Sequence, residues 1–284
     1  MLLFVYGTLL KGMEREFVLS DSQYLGPAVF QAQLFDLGDY PGIKVGRGLV
    51  IGELYEITRV TLDLLDKLEG YKICEENDSL YLRREVGIQR ISGGSVQAFC
   101  YFYNHGIKNR NLIINGDYRR FRLEKETEDQ WVLAYGSDIS TGFLIKRIGE
   151  VKASKRGYID GFRLTFQVTG KQVVYANIFY AGAGEKCPAV AYQLTLDQTA
   201  TLDKWRGIPN NYLRLSIPFH AQYDHTSIVQ AYIAHPEKLV TGLDVECDCI
   251  EHIQCGYEEH GFDESYLMKV LEDANSFHVP TLEC

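Results

Sequence analysis

The feature that most constrains the fold is an apolar run that ends in a glycine turn and occurs twice. Leu2-Leu3-Phe4-Val5 leads into Tyr6-Gly7-Thr8-Leu9, and Trp131-Val132-Leu133-Ala134 leads into Tyr135-Gly136-Ser137-Asp138. An apolar run closed by glycine predicts a buried strand that stops at a sharp turn. Such a turn can leave successive backbone N–H groups pointing the same way, an arrangement that binds anions or a developing oxyanion. Either copy alone could be only a core strand and its turn, but two copies indicate a tandem repeat.

The composition bounds the class of protein. The 284 residues are enough for about two domains, and 46% hydrophobic and 24% charged residues are ordinary for a globular protein. A net charge of -9 argues against general nucleic-acid binding, which needs clustered Lys and Arg, and against docking on anionic lipid. No apolar run approaches the ~20 residues of a membrane helix, and the N-terminus lacks an export signal. Seven scattered cysteines then predict reduced thiols and a cytoplasmic location.

A short amphipathic helix is predicted to end at an acidic residue. Apolar residues at positions 62, 65 and 68 have the i, i+3 spacing of a helix face. Thr58 or Thr61 can cap its start and Gly70 can end it. Glu69 therefore lies in the last turn, where the carbonyl end of a helix disfavours negative charge. Because breaks of a local rule concentrate at functional sites, Glu69 is a candidate functional residue.

The order of elements in the first half recurs in the second half. Residues 123–130 are charged and lack a core pattern, so they are predicted to link a domain of residues 1–122 to one of residues 131–284. The tripeptide Leu-Asp-Lys, which precedes Glu69 in the first short helix, recurs before Arg206 in a second predicted helix. Glu53 shares a strand face with apolar side chains and is a further candidate near a pocket, although a surface position explains it equally well.

Motifs in both halves resemble the gamma-glutamylcyclotransferase family. In the first half they cover about residues 2–121, resemble the small gamma-glutamylamine cyclotransferase-like members, and are Val5-Tyr6-Gly7-Thr8-Leu9, Leu37-Gly38-Asp39-Tyr40-Pro41-Gly42, Gly52-Glu53-Leu54-Tyr55, Leu65-Asp66-Lys67-Leu68-Glu69-Gly70-Tyr71, Tyr81-Leu82-Arg83-Arg84 and Ile114-Asn115-Gly116-Asp117-Tyr118. In the second half they resemble the larger gamma-glutamylcyclotransferases and include Ala134-Tyr135-Gly136-Ser137, Ala176-Asn177-Ile178, Leu202-Asp203-Lys204-Trp205 and Tyr212-Leu213-Arg214.

The resemblance implies an α+β fold of two tandem mixed β-barrel domains with flanking helices. It also implies an amide-cleaving cyclotransferase of the acyltransferase class, which acts on a small gamma-glutamyl amide without a cofactor. In this family the substrate's own α-amine attacks the γ-carbonyl, and 5-oxoproline and a free amine are released. The resemblance assigns Glu69 as the proton shuttle, because a partly buried carboxylate can have a pKa near working pH. It assigns the backbone of Tyr6, Gly7, Thr8 and Leu9 to the substrate carboxylate or the oxyanion.

Two positions of the second half depart from the family pattern. Asp138 stands where Asn usually follows Tyr-Gly-Ser, and Arg206 replaces the glutamate that corresponds to Glu69. A guanidinium stays protonated in proteins and cannot act as this base. We therefore expect a catalytic first domain and a degenerate second domain. The second could still bind an anionic ligand in a pocket formed by Tyr135, Gly136, Ser137, Asp138 and Arg206.

A cluster of soft ligands near the C-terminus raises the question of a metal. Cys247, Cys249, His252 and Cys255 lie close together in the sequence, but their spacing is not that of the usual zinc-ligand pairs. The same segment resembles the family's C-terminal helix and turn, and buried free cysteines are common. No metal is therefore predicted.

The first hypothesis is a gamma-glutamyl amide cyclotransferase with its chemistry in residues 1–122, without nucleic-acid or membrane partners. A hypothesis of another class is a non-catalytic tandem binding module for gamma-glutamyl or other acidic metabolites. A third is a role in assembly, with both pockets vestigial. Glu69 favours the first hypothesis, because a pure binder does not need a carboxylate at a helix C-terminus beside an anion-binding turn.

Overall fold

The chain divides between Glu126 and Thr127 into two units, each with a β-barrel of its own. The computed structural model describes residues 1–170, 173–222, 226–240, 243–245 and 247–276. Residues 277–284 of the predicted second domain lie outside this part of the chain. Among the described residues, none of the helices has both the length and the apolar character needed to cross a membrane.

The first unit is a closed barrel with a small additional sheet. Its elements are β1 (Leu2–Val5), β2 (Gln23–Phe30), β3 (Gln33–Asp36), β4 (Pro41–Lys44), β5 (Val50–Glu56), α1 (Arg59–Leu68), β6 (Tyr81–Arg90), β7 (Ser95–Tyr103), β8 (Asn111–Leu112) and α2 (Tyr118–Glu126). The barrel has the strand order β1-β5-β2-β6-β7 and closes through a parallel pairing of β7 with β1, whereas its other pairings are antiparallel. The small sheet has β3 between β4 and β8.

The continuous apolar run of β1 is explained by burial of both its faces. Successive strand residues point to opposite sides. Phe4 belongs to one buried cluster, whereas Leu3 and Val5 belong to a second cluster that contains Leu62 and Leu65 of α1. The strand therefore has hydrophobic core on both sides, and the turn that follows it begins inside the protein.

The second unit repeats this barrel. Its elements are β9 (Gln130–Ala134), α3 (Thr141–Ile148), β10 (Ala153–Asp160), β11 (Phe162–Gly170), β12 (Val173–Tyr180), β13 (Lys186–Leu194), α4 (Leu196–Arg206), β14 (Tyr212–Ala221), β15 (Thr226–Ala234), β16 (Asp244–Val245), α5 (Cys247–His260) and α6 (Glu264–Ser276). The strand order is β10-β13-β9-β15-β14, again with one parallel pair, β15 with β9. By position, β9 corresponds to β1, β13 to β5 and α4 to α1. The predicted α+β class, with a mixed barrel and flanking helices in each half, is confirmed.

The predicted linker was wrong in its first half, because residues 123–126 are the end of α2. This helix begins inside the first unit, where Tyr118 is fully buried in the core. Phe121 packs on the same core, and charged side chains follow it in the sequence, with an i, i+4 ion pair of Arg120 with Glu124 at 2.7 Å. A run of charged residues therefore conceals a helix, and only residues 127–129 connect it to β9.

Candidate active site

The turn that follows β1 has three consecutive backbone N–H donors, those of Gly7, Thr8 and Leu9. The Leu10 N–H donates to the Gly7 carbonyl (3.0 Å) and the Arg15 N–H donates to the Thr8 carbonyl (2.9 Å), so the turn is held by its own main chain. Within the described residues, the N–H groups of Gly7, Thr8 and Leu9 donate to no protein acceptor. These three residues line a pocket, and their consecutive donors are suited to hold an anion or an oxyanion there.

Glu69 lies immediately after α1. Thr58 caps the start of this helix, its Oγ1 accepting the Thr61 N–H at 3.1 Å. Gly70 has φ +62°, the left-handed conformation that commonly ends a helix. The Glu69 carboxylate is partly buried and makes no hydrogen bond or ion pair with any described residue. Burial raises the pKa of Glu69 to about 7, and the positive charge of Arg15 lowers this pKa in part.

Glu69 and the turn line the same pocket. The pocket encloses about 620 Å³, a volume that includes the solvent space at its open mouth. Tyr40, Tyr81 and Tyr101 supply aromatic wall. Of the described residues that line the pocket, Glu69 is the one acid and Arg15 the one base. The arrangement can therefore move a proton at one side and stabilise negative charge at another.

Fixed contacts tie the helix and the turn to a single strand residue. Asp66, in the last turn of α1, accepts a hydrogen bond from the Tyr101 hydroxyl (2.8 Å) and forms an ion pair with Arg83. The buried Tyr6 donates its hydroxyl to the Tyr101 carbonyl at 2.6 Å. Because both segments are held at Tyr101 of β7, the position of Glu69 relative to the turn is set by rigid elements. The Tyr6 hydroxyl is therefore bound to the main chain of β7.

A buried ion pair, which no local sequence pattern reveals, holds the far end of the turn. Arg119 of α2 donates to Glu53 Oε1 (2.7 Å) and to the Lys11 carbonyl (2.8 Å). Glu53 Oε2 accepts the Lys11 N–H (3.0 Å) and the Tyr55 hydroxyl (3.0 Å). The Glu53 and Arg119 side chains are 0% and 3% exposed. Both main-chain polar groups of Lys11, the second residue after Leu9, are thereby bound to the barrel.

The second unit keeps the supports of this site without its acid. Asp203 of α4 accepts the Tyr232 hydroxyl (2.7 Å) and pairs with Arg214 (3.0 Å), as the corresponding residues do in the first unit. Gly207, with φ +63°, ends α4 in the left-handed conformation. Arg206 precedes this glycine at the position that Glu69 has before Gly70, so the substitution stands in a framework that the two units otherwise share.

The second-unit residues predicted to form a pocket lie together, and they are Tyr135, Gly136, Ser137, Asp138 and Arg206. Arg206 forms an ion pair with Asp138. Asp138 is 6% exposed and also accepts a hydrogen bond from Arg147 of α3 at 2.5 Å. The buried Tyr135 donates its hydroxyl to the Tyr232 carbonyl. Arg206 thus pairs with the carboxylate of Asp138, a residue of the same chain.

The cysteine and histidine cluster is spread around α5. The His252 ring stacks on Phe143 with ring centroids 3.6 Å apart. Cys249 is buried, whereas Cys247 and Cys255 are exposed. In the part of the chain that the structure describes, no three His, Cys, Asp or Glu side chains are grouped so that they could hold a metal ion.

Comparisons with known proteins identify relatives of the first unit and a structural neighbour of the whole chain. The family model described as "Gamma-glutamyl cyclotransferase, AIG2-like" matches residues 3–120. A gamma-L-glutamyl-butirosin B gamma-glutamyl cyclotransferase of Niallia circulans is 32% identical over 124 residues, 43% of this chain and 78% of that protein. A putative gamma-glutamylcyclotransferase of Vibrio cholerae is 34% identical over 119 residues, 41% of this chain and 94% of that protein. YkqA from Bacillus subtilis has a TM-score of 0.76 at 20% identity over 98% of each chain, which shows a common fold along the whole length.

Proposed function

Because the chain belongs to the gamma-glutamylcyclotransferase family, we propose that its first unit cleaves gamma-glutamyl amides to 5-oxoproline and a free amine. One observation carries the proposal: the Glu69 carboxylate and the N–H donors of residues 7–9, none of which has a partner among the described residues, line one pocket. The proposed catalytic domain extends to Glu126, because α2 supplies the buried Arg119. The second unit, with Arg206 in place of the acid, is proposed to be non-catalytic.

In the proposed reaction, the Glu69 carboxylate takes a proton from the substrate's α-ammonium group. The freed amine attacks the γ-carbonyl carbon, and the N–H groups of Gly7, Thr8 and Leu9 stabilise the oxyanion that forms. Collapse of this intermediate breaks the bond to the leaving nitrogen and leaves the five-membered ring. The attacking nitrogen loses two protons between ammonium and ring amide, and the leaving nitrogen gains two to become an ammonium ion. Glu69 carries them by alternating between carboxylate and acid.

The electrostatics of Glu69 support this double role. A residue that both accepts and donates a proton works best when its pKa lies near the operating pH. Burial raises the pKa of Glu69 to about 7, whereas an exposed glutamate has a pKa of ~4.3. The carboxylate has no protein partner among the described residues that would hold it in one protonation state.

A direct assay tests the proposed function. The full chain is incubated with a panel of gamma-glutamyl amines and gamma-glutamyl dipeptides, and 5-oxoproline is measured together with the released amine. We expect equal amounts of both products from at least one class of substrate. Binding of these compounds without turnover would instead support a non-catalytic binding module. If the chain neither binds nor turns over any of these compounds, both hypotheses are overturned.

The pH dependence of kcat/KM is expected to show an acid limb with an apparent pKa of about 7. Glu69 must be ionised to accept the first proton, so below this value the rate falls about tenfold per pH unit. Arg15→Gln removes the charge that lowers the pKa of Glu69 and should move the limb to higher pH. Initial rates measured across the neutral range provide the check. A limb at the ordinary glutamate value of ~4.3 would contradict the assignment of Glu69.

Gly7→Ala is expected to lower kcat/KM by about 10²-fold, the effect that a displacement of about 1 Å at a reacting group can have. A Cβ on Gly7 would lie 2.6 Å from Pro41 Cγ, so either the turn or this pocket wall must move. Gly106→Ala is the matched control, because a Cβ there meets open space and its φ is not in the left-handed region. Full activity of both variants would show that the reaction does not depend on the close fit of the turn.

A further inference from the structure

Arg15 is a cation of the candidate active site that has no partner among the described residues. Its N–H donates to the Thr8 carbonyl of the turn at 2.9 Å, and Arg15 is one of the residues that line the pocket. Within the same described part of the chain, its guanidinium makes no hydrogen bond, and no carboxylate lies within the 4.0 Å of an ion pair. A guanidinium in such a place offers several donors in a fixed plane, which suits the two oxygens of a carboxylate.

A gamma-glutamyl group contains a carboxylate that a guanidinium in this pocket could bind. Its α-carbon bears both the amine that Glu69 is proposed to deprotonate and a free carboxylate, so the two groups enter the pocket together. Arg15 is near enough to Glu69 for its charge to act on that acid, yet too far for a direct ion pair. Because Arg15 and Glu69 line the same pocket, a ligand that carries an amine and a carboxylate on one carbon can present the first to Glu69 and the second to Arg15.

The second unit contains an internal precedent for this contact. Asp138, a residue of the corresponding turn, has its carboxylate bound by Arg147, which lies on the helix that follows the turn. In the first unit, the segment that follows the turn supplies Arg15, and the turn has Leu9 where the second unit has Asp138. The carboxylate that the second unit supplies from its own chain is thus absent from this position of the first unit and would come from the ligand.

We propose, on the basis of the proposed function, that Arg15 binds the α-carboxylate of the gamma-glutamyl group. The N–H groups of residues 7–9 are then left for the oxyanion. The substrate class follows: amides whose gamma-glutamyl group has a free α-carboxylate are accepted, and amides in which this group is neutral or missing are poor substrates. The identity of the released amine is not restricted by Arg15.

Two probes that differ only in this group test the proposal. They are gamma-glutamyl propylamide and its α-carboxamide, and propylamine release is measured for both. The wild-type chain should prefer the carboxylate probe by about 10- to 100-fold in kcat/KM, mainly through KM, as expected for a charge-assisted hydrogen bond. Arg15→Gln should abolish this preference, and Arg15→Lys should restore part of it. The assays are run above pH 8, where Glu69 is ionised. Lys67→Gln, at an exposed base on α1, should keep the preference.

Binding of the product separates this proposal from the proposed function. 5-Oxoproline retains the α-carboxylate, and 2-pyrrolidinone is the same ring without it. By calorimetry, Arg15→Gln should weaken binding of 5-oxoproline by about 10- to 100-fold and leave 2-pyrrolidinone unaffected. If Arg15→Gln weakens binding of 5-oxoproline alone and the wild-type chain shows no turnover, the cyclotransferase is refuted and the Arg15 contact is supported. Equal loss for both probes, or no loss for either, would overturn the role of Arg15.

Discussion

Glu69→Gln is expected to lower kcat for 5-oxoproline formation by about 10²- to 10⁴-fold and to leave KM close to the wild-type value. The amide has nearly the shape of the carboxylic acid, but it cannot accept the proton of the attacking amine. The Glu69 carboxylate makes no hydrogen bond or ion pair with a described residue, so the substitution breaks no contact within that part of the folded chain. Glu85→Gln, at an exposed position of β6, is the matched control and should retain full activity.

The stability of the same variant distinguishes a catalytic role from a structural one. The pKa of Glu69 is about 7 in the folded chain and that of an exposed glutamate is ~4.3. The folded wild type is therefore the more stable with Glu69 protonated, and it loses this stability as the pH rises through that interval. Glutamine does not titrate, so Glu69→Gln should unfold at a higher temperature than wild type above about pH 7, and the two melting temperatures should converge near about pH 4.

The outcomes at Glu69 are separable. If the variant is inactive but more stable than wild type above neutral pH, the buried Glu69 carboxylate costs stability and serves catalysis. Cyclisation by Glu69→Gln at close to the wild-type rate would show that another group moves the proton. A variant that is inactive and also unstable would indicate that the side chain supports the fold instead.

Sequence patterns were informative where the physical cause is local. The end of β1, the capped helix α1 and the misplaced charge of Glu69 each depend on neighbours within a few residues, and the structure has these elements close to their predicted bounds. That Glu69 shares a pocket with the turn depends on the barrel, and the sequence could suggest it only through the family resemblance. Arg15 had no signal of its own, because a basic residue in a loop resembles any solvated side chain.

Contacts between distant residues could not be read in the same way. Asp138 and Arg206 were each visible as a departure from the family pattern, but their ion pair joins segments that lie far apart in the sequence. Their opposite charges are the signal: one substitution neutralises the other. Glu53 on an apolar strand face required a buried cation in the same way, and its partner Arg119 lies in the helix α2, whose charged end was predicted to be a linker.

Arg119→Met is expected to lower the free energy of unfolding of the first unit by about 3–5 kcal/mol, the cost of breaking a buried ion pair on one side. It leaves the Glu53 carboxylate, 0% exposed, without its cation and the Lys11 carbonyl without the guanidinium donor. Urea denaturation of the full chain, followed through the transition of the first unit, provides the measurement. Arg59→Met breaks an exposed ion pair with Asp63 and is the control, with an effect of at most ~1 kcal/mol.

A double-mutant cycle shows whether the effect arises from the pair. Glu53→Gln removes the buried charge and keeps an oxygen for the Lys11 N–H, so in the Arg119→Met background it should recover part of the lost stability. Alone, it should destabilise the unit by removing the Glu53 charge that pairs with the buried Arg119. Strictly additive effects would contradict the coupling. Because the pair holds both polar groups of Lys11, Arg119→Met should also lower kcat under conditions in which the protein remains folded. Glu53→Gln should not restore that loss, since a methionine side chain has no donor for the Lys11 carbonyl.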